Sequence, residues 1–293
     1  MHQGLEAFKH FLKEDGKSDD TVKSYVNNLR RFFRYLQQEN VSSTSVIKRN
    51  DVTGYRTYLL NKRYRPGTIN NALAAISAYC EYLKETGTLS KDTSILKKKK
   101  DWIRNADDPN ETIEVFSESE IAQLLFYVKQ EKVSCRNRFI VYVLMYTGMR
   151  ISEICNLKMV DIDLENRRIS VVGKGNIYRR IPLREDVVYM MKEYVEQERE
   201  KSKFADSEYL IVTQRSAKMD RTAMLTWFWR LSAELGFRIY PHKFRHTFCT
   251  RLIQLGVPIL TVSKLVGHSS PQMTARYYVK IGMNEKLHAI HLL

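Results

Sequence analysis

A chain of 293 residues is long for one compact core and predicts two domains. Hydrophobic residues at 43% and charged residues at 28% fit a soluble globular protein, and no apolar run reaches the length of a membrane-spanning helix. The 48 Lys and Arg against 33 Asp and Glu leave a net charge of +15, which favours a polyanionic partner, nucleic acid above all, although an ordinary basic surface would carry the same excess.

The first hundred residues read as helices only. In TVKSYVNNLRRFFRYLQQEN the apolar positions Val22, Tyr25, Val26, Leu29, Phe32, Phe33 and Leu36 recur at helical spacing, with Ser18 or Asp19 as the cap. A second helix fits Asp51 to Lys62, with Val52, Tyr55 and Leu59 on one face. A third starts after Pro66 and Gly67 and buries Ile69, Leu73, Ile76, Cys80 and Leu83. The outward faces carry Arg30, Arg31, Arg34, Lys62, Arg63 and Arg65, candidates for phosphate contact whose ordinary alternative is solvated surface. The stretch LKKKKDWIRNADDPNET, Leu96 to Thr112, has charge runs, a proline and no periodicity, and reads as an interdomain linker. Its Lys97, Lys98, Lys99 and Lys100 either follow a DNA backbone or form a solvated tether.

The second half opens on SESE, where Ser117 and Glu120 fit a capping box. Helices are predicted over Glu118 to Gln130 and Arg136 to Tyr146. The segment RRISVVGKGNIYRRIPL alternates like a hairpin with Gly173 and Gly175 at its turn, and Asp161, Asp163 and Glu165 fall in a loop leading into it. Helices follow near Glu185 to Arg199 and Arg221 to Leu235, and again from His242 onward. Cys80, Cys135, Cys155 and Cys249 are scattered without CxxC pairing and read as reduced thiols. The N-terminal stretch does not resemble a signal peptide, so a cytoplasmic protein without a membrane anchor is expected.

Four stretches gather cations and proton carriers. In YTGMRISEICNL, Gly148 breaks one helix and Arg150 or Ser152 opens the next, so Arg150 sits at a helix N-terminus suited to an anion; a surface ion pair with Glu153 is the plainer reading. In GKGN, Lys174 stands at a hairpin tip, as exposed turn lysines commonly do. In YPHKFRHTFCTRL, His242 and Arg245 share a helix face while Phe244, Phe248 and Leu252 form the apolar one, and His246 reads as structural, pointing elsewhere. In LVGHSSPQMTARYYVKIG, Gly267 ends a helix, His268 follows, and Tyr277 and Tyr278 stand side by side. Two arginines, two histidines and a lysine around one phosphodiester would neutralise a pentacoordinate phosphorus without metal, and a tyrosine could attack it. No converging carboxylate motif, Walker loop or dinucleotide fingerprint occurs in the sequence, so metal-free and ATP-free phosphoryl transfer without cofactor is the expectation.

Together these stretches resemble the tyrosine recombinases, the family of lambda-type phage integrases and Xer-type resolvases. TGMRISEICNL is similar to the family's first arginine box, VVGKGNIYRRIPL to its lysine-bearing hairpin, HKFRHTFCTRL to its HxxR box, and LVGHSSPQMTARYY to its Gly-His and tyrosine box, in family order. The match covers most of Ser117 to Lys280. Phe244 departs by standing where an aliphatic residue is frequent, which affects packing and not chemistry. The implied architecture is mainly α: a helical, SAM-like core DNA-binding domain over 1–96, a basic linker over 97–116, and a mixed α+β catalytic domain over 117–293 with a small antiparallel sheet.

The resemblance implies that Arg150 and Arg245 clamp the scissile phosphate, His268 donates a hydrogen bond to it, His242 assists as general base, Lys174 protonates the departing 5′ oxygen, and Glu153 holds the arginine box. Consecutive helical residues point about 100° apart, so Tyr277 and Tyr278 cannot both face one phosphate, and periodicity does not choose. The family's spacing from the Gly-His pair does: it makes Tyr277 the nucleophile, leaving a 3′-phosphotyrosyl link and a free 5′ hydroxyl. The expected partners are double-stranded recombination sites and further recombinase copies, a homotetramer or a heterotetramer with a second recombinase, with the tail MNEKLHAIHLL either docked on a neighbouring subunit or packed on its own domain. No arm-binding domain precedes the helical half, which favours a simple Xer-like or transposon-encoded enzyme. The alternatives are a type IB topoisomerase and a DNA-binding relative that does not cut.

Overall fold

The computed structural model describes residues 2–39, 47–90, 94–96, 101–103, 113–173 and 178–268. It divides into two compact units, Met1–Glu111 and Thr112–Leu293.

The first unit holds four helices, α1 (His2–Glu14), α2 (Asp19–Gln38), α3 (Arg49–Asn61) and α4 (Pro66–Glu85). Ser18 is the α2 cap: its Oγ accepts from the Thr21 backbone N–H at 3.3 Å, and Asp19 and Asp20 place negative charge at the positive end of the helix. Helix α4 starts on Pro66, whose missing N–H costs nothing in a first turn. The predicted apolar stripes meet in one core, with Leu29, Phe32 and Leu36 of α2 buried together with Ile69, Leu73 and Ile76 of α4. Tyr79 turns its ring edge-on to Phe8 at 5.2 Å and Phe33 at 5.5 Å. The chain after α4 folds back onto this bundle. Arg49 grips buried Asp101 through both nitrogens, at 3.0 and 2.8 Å, and Asn70 brackets Ile103 with two bonds to its backbone. Lys97, Lys98, Lys99 and Lys100 lie outside the described residues.

The second unit is built around α6 (Cys135–Thr147), whose Phe139, Ile140, Val143 and Leu144 are all buried. Before it comes α5 (Glu118–Val128), opened by the expected capping box: Ser117 Oγ accepts from Glu120 N–H at 3.1 Å and Glu120 returns a bond to Ser117 N–H at 2.8 Å. After α6 come α7 (Ile151–Asn156), a 3-10 turn (Met159–Asp161), strands β1 (Ile162–Asp163), β2 (Arg168–Val172) and β3 (Tyr178–Pro182), then α8 (Glu185–Tyr194), α9 (Arg221–Leu235), α10 (Pro241–Gln254) and α11 (Ile259–Val266). Helix α6 packs on α8 and α10.

The sheet is antiparallel in the order β1-β2-β3, with Ile169 opposite Ile181 and Val171 opposite Arg179. Here the expectation of a loop at Asp163 is corrected: Asp163 pairs with Arg168 as a third strand, and its carboxylate accepts from Arg168 Nε at 2.8 Å. The helix predicted to run on to Arg199 changes after Tyr194 into a π turn, Val195–Arg199. That turn swings Arg199 inward, where it donates to the carbonyls of Ala205, Ser207, Tyr209 and Leu210. A buried cation satisfied by four carbonyls holds the following irregular segment against the core.

One clasp fixes α10 in place. Phe116 N–H donates to Thr247 Oγ1 at 2.9 Å, Thr247 donates to the Lys243 carbonyl at 2.8 Å, and Lys243 Nζ reaches Glu120 at 3.1 Å. The Lys243 ammonium also lies 4.5 Å from the centroid of the Phe116 ring.

Candidate active site

The site forms where the ends of α6, α7, α10 and α11 meet β3. Helix α6 stops because Gly148 adopts the left-handed conformation, φ +60°, which glycine alone takes without cost. A Cβ there would stand 2.6 Å from Phe248 Cδ1 and 3.0 Å from Val266 Cγ1, so the same glycine lets α10 and α11 close over the turn. Its carbonyl is then exposed to Arg245, whose Nη1 donates to it at 2.8 Å.

Arg245 is 4% exposed. Burial, then the neighbouring Arg150 charge, brings its pKa down to about 10, so the guanidinium is still cationic at neutral pH. Its Nη2 is buried and has no hydrogen-bond partner among the described residues. A buried cation with an open donor is costly unless an anion completes it.

Arg150 caps α7 and turns back on its own helix. Its backbone N–H donates to Glu153 Oε2 at 2.7 Å, its Nη1 to Glu153 Oε1 at 2.9 Å, and its Nη2 to the Gly267 carbonyl at 2.9 Å. The ion pair that spacing alone suggested is therefore real, but it is not a surface pair, since the Glu153 side chain is 5% exposed. Burial by itself would raise the Glu153 pKa. Hydrogen bonds and charge from Arg179, then the bonds from Arg150, outweigh it and hold the carboxyl below its ordinary value.

Arg179 is the residue that motif reading missed. It enters from β3, 9% exposed at the side chain, and meets Glu153 with both nitrogens, Nη1 to Oε1 at 2.9 Å and Nη2 to Oε2 at 2.7 Å. Its Nε donates to the Leu265 carbonyl at 2.9 Å. The signal was available in the alternation of the strand. Arg179 lies two positions before buried Ile181 and so shares its inward face, where a cation needs a carboxylate.

Gly267 closes α11 in the left-handed conformation, φ +67°, and a Cβ on it would come within 2.9 Å of Arg179 Nη1. His268 follows directly, its backbone N–H bonded to the Ser263 carbonyl at 3.1 Å. Burial, then Arg245 and Arg150, bring the His268 pKa down to about 4. His242 lies in the first turn of α10 with its side chain open to solvent. Partial desolvation, then the charges of Arg245, Arg150 and Arg221, lower its pKa from the ordinary histidine value. Both rings are neutral near pH 7 while three guanidiniums surround them.

His246 corrects the expectation that it points elsewhere. One turn beyond His242, its ring centroid is 6.2 Å from that of His242, and burial, then His242 and Arg245, bring its pKa down to about 4. Positions four apart share a helix face as readily as positions three apart. Arg221, at the first position of α9, is a further charge felt by His242.

Arg150, Glu153, Arg245, His242 and His268 thus come together in the second unit. Lys174, between β2 and β3, and Tyr277 lie outside the described residues. Arg30, Arg31, Arg34, Lys62, Arg63 and Arg65 all belong to the first unit and are exposed. Burial drives the Tyr55 pKa to about 12, with Arg31 opposing it and Tyr64, which stands between Arg63 and Arg65, adding to it.

Comparison with known proteins places these features. A model of the phage integrase family matches residues 114–284, and a model of the phage integrase N-terminal SAM-like domain matches residues 5–87. The tyrosine recombinase XerA of Pyrococcus furiosus is 30% identical over 278 residues, 93% of this chain and 88% of the relative. The TnP I resolvase of Bacillus thuringiensis is 28% identical over 273 residues, covering 92% of this chain and 93% of the relative. In fold, the chain resembles the Tn1549 transposon integrase bound to transposon right end DNA, at a TM-score of 0.72 and 22% identity over 99% of this chain and 98% of the other. It also resembles the XerH recombinase bound to difH, at a TM-score of 0.69 and 22% identity over 92% of this chain and 78% of the other.

Proposed function

From the premise that the chain belongs to the phage integrase family, the tyrosine recombinases, we propose how its residues carry out site-specific DNA recombination. The enzyme cleaves and rejoins DNA strands, and its partner is duplex DNA bearing a recombination site. The observation that carries the residue roles is the buried Nη2 of Arg245, unpaired among the described residues and set beside Arg150 and two neutral histidines.

Among the described residues, Arg150, Arg179 and Arg245 against the carboxylate of Glu153 leave a formal surplus of two positive charges. A phosphodiester carries one negative charge and its pentacoordinate transition state two, so the surplus matches the transition state better than the ground state. Arg245 Nη2 and the outward edge of Arg150 take the two non-bridging oxygens, and His268 donates a hydrogen bond to one of them. Tyr277 attacks phosphorus. The bond from phosphorus to the 5′ oxygen breaks, the tyrosine proton passes to neutral His242, and Lys174 protonates the departing oxygen. The depressed pKa of His242 suits this part, since a histidine already protonated could not accept. An incoming 5′ hydroxyl reverses these steps on a new strand, so the bond energy is retained and no nucleotide is consumed.

The exposed Arg30, Arg31, Arg34, Lys62, Arg63 and Arg65 of the first unit hold DNA phosphates in this reading, with Lys97 to Lys100 continuing along the backbone. Strand exchange between two sites calls for four copies of the enzyme, alike or paired with a second recombinase. No helix among the described residues is long and apolar enough to cross a membrane, and we place the enzyme with DNA in the cytoplasm.

A duplex nicked beside the cleavage site, in a sequence selected by the protein from a randomised pool, tests the chemistry. In EDTA and without ATP, wild type forms a covalent protein–DNA adduct and Tyr277→Phe forms none. An adduct that persists in Tyr277→Phe and vanishes in Tyr278→Phe would overturn the nucleophile. Ready relaxation of supercoils at any sequence would favour topoisomerase action instead.

A further inference from the structure

We propose that Arg179 is a positioning residue for strand cleavage: by taking up the charge of Glu153, it leaves Arg150 free to grip the scissile phosphate, and it locks the turn that carries His268. This rests on the reading that Arg150 and His268 hold that phosphate.

Two guanidiniums compete for one buried carboxylate, and they share it unequally. Arg179 makes the bidentate pair, Nη1 and Nη2 each to its own oxygen. Arg150 reaches Glu153 with a single side-chain bond, at Oε1, and sends its Nη2 to the Gly267 carbonyl. The exposures follow the same division: the Arg179 side chain is 9% exposed, that of Arg150 31%. The fork geometry of a guanidinium makes the bidentate pair the stronger one. Arg179 is therefore the structural counter-ion of Glu153, and Arg150 keeps an edge turned outward.

The pairing also explains why the cation comes from a strand. From β3, opposite Val171, Arg179 spans to α7 through Glu153 and to α11 through the Leu265 carbonyl. Arg150 reaches the same turn at Gly267, so a closed circuit runs from Arg150 through Glu153 and Arg179 to Leu265, Gly267 and back. Gly267 has no side chain where its Cβ would meet the Arg179 guanidinium, so the strand and the turn approach as closely as the chain permits. His268 is the next residue and inherits its position from this contact.

Without Arg179, Glu153 remains buried with Arg150 as its remaining guanidinium. A buried carboxylate draws its counter-ion fully, and Arg150 would rotate into the bidentate pair and away from the phosphate. The loss would fall on the step in which phosphate charge develops, with duplex affinity, supplied by many phosphate contacts, largely unchanged.

The test compares two substrates. One is the nicked duplex selected by wild-type protein; the other is the same duplex with a methylphosphonate at the scissile position, a neutral diester that demands one fewer positive charge. In Arg179→Met, the melting temperature should drop, because a buried ion pair is broken, and single-turnover cleavage of the phosphate, measured below that temperature at saturating protein, should fall by roughly 10²-fold or more while duplex affinity stays close to wild type. On the methylphosphonate the gap between variant and wild type should close. Arg179→Lys, which keeps the charge without the fork, should fall in between and serves in place of Arg179→Met should that variant not fold. Equal loss on both substrates would mean that Arg179 is merely a structural support, and wild-type cleavage of the phosphate would refute the proposal outright. Wild-type protein that formed no adduct on the phosphate duplex would instead defeat the recombinase chemistry on which the proposal stands.

Discussion

Arg245 and Gly148 are joined across 97 residues of sequence by a 2.8 Å bond from Nη1 to the glycine carbonyl. One nitrogen is anchored to the end of α6, and the other, Nη2, is buried without a partner among the described residues. The anchor depends on Gly148 being glycine, because the φ of +60° and the 2.6 Å approach to Phe248 both exclude a Cβ. Gly148→Ala should therefore lower stability by more than about 1 kcal/mol, read from denaturant unfolding. Adduct formation should fall with it even below the melting temperature, since α10 must shift to make room.

Arg245→Lys separates charge from geometry. An ammonium is a point charge and cannot donate to the Gly148 carbonyl and a phosphate oxygen in the same fixed plane. We expect duplex binding close to wild type and single-turnover cleavage lower by roughly 10²-fold or more, the cost of one lost donor at a developing charge. Wild-type cleavage in this variant would show that Nη2 does not face the reacting phosphate.

The helices of both units were legible because apolar residues recur at the helical period, and because Ser18, Ser117 and Gly148 mark ends by local chemistry. What periodicity could not carry depends on pairing at long range. Strand β1 is two residues long and exists through its partners Ile169 and Arg168, so no alternation could announce it. The π turn at Val195–Arg199 follows from carbonyls of residues 205 to 210, which a local window does not contain. Arg150, Glu153, His242, Arg245 and His268 were found as isolated motifs, and the structure brings them together. Arg179 escaped because its partner Glu153 lies 26 residues upstream and pairs through the fold. Its inward register beside Ile181 was the one local hint.

In the first unit, the exposed Arg31 and Arg34 are expected to act on DNA through charge alone. Removing one phosphate contact reduces the salt dependence of binding by about one in the slope of log affinity against log salt. Arg31→Ala and Arg34→Ala should each weaken binding to specific and unrelated duplexes alike, and flatten the slope by about that amount. Titrations at several salt concentrations on both duplexes measure this. An unchanged slope would assign these residues to ordinary solvated surface.

The three histidines of the site couple folding and binding to pH. His246 and His268 have pKa values brought down to about 4 from the ordinary 6.5, and that of His242 is also lowered. Between about pH 6.5 and 4 the unfolded chain binds more protons at these positions than the folded one, so stability falls as pH drops through that window. His246→Asn should reduce this acid sensitivity, measured as the change in unfolding free energy from pH 7 to pH 5. A bound phosphodiester reverses the electrostatics, because its negative charge offsets Arg150 and Arg245 and raises the pKa of His242 and His268. Binding of duplex near pH 6 should then be accompanied by proton uptake, seen in calorimetry as an enthalpy that varies with the ionisation heat of the buffer. The uptake should shrink in His268→Asn, and its persistence in a variant lacking both His242 and His268 would place the coupled protons elsewhere.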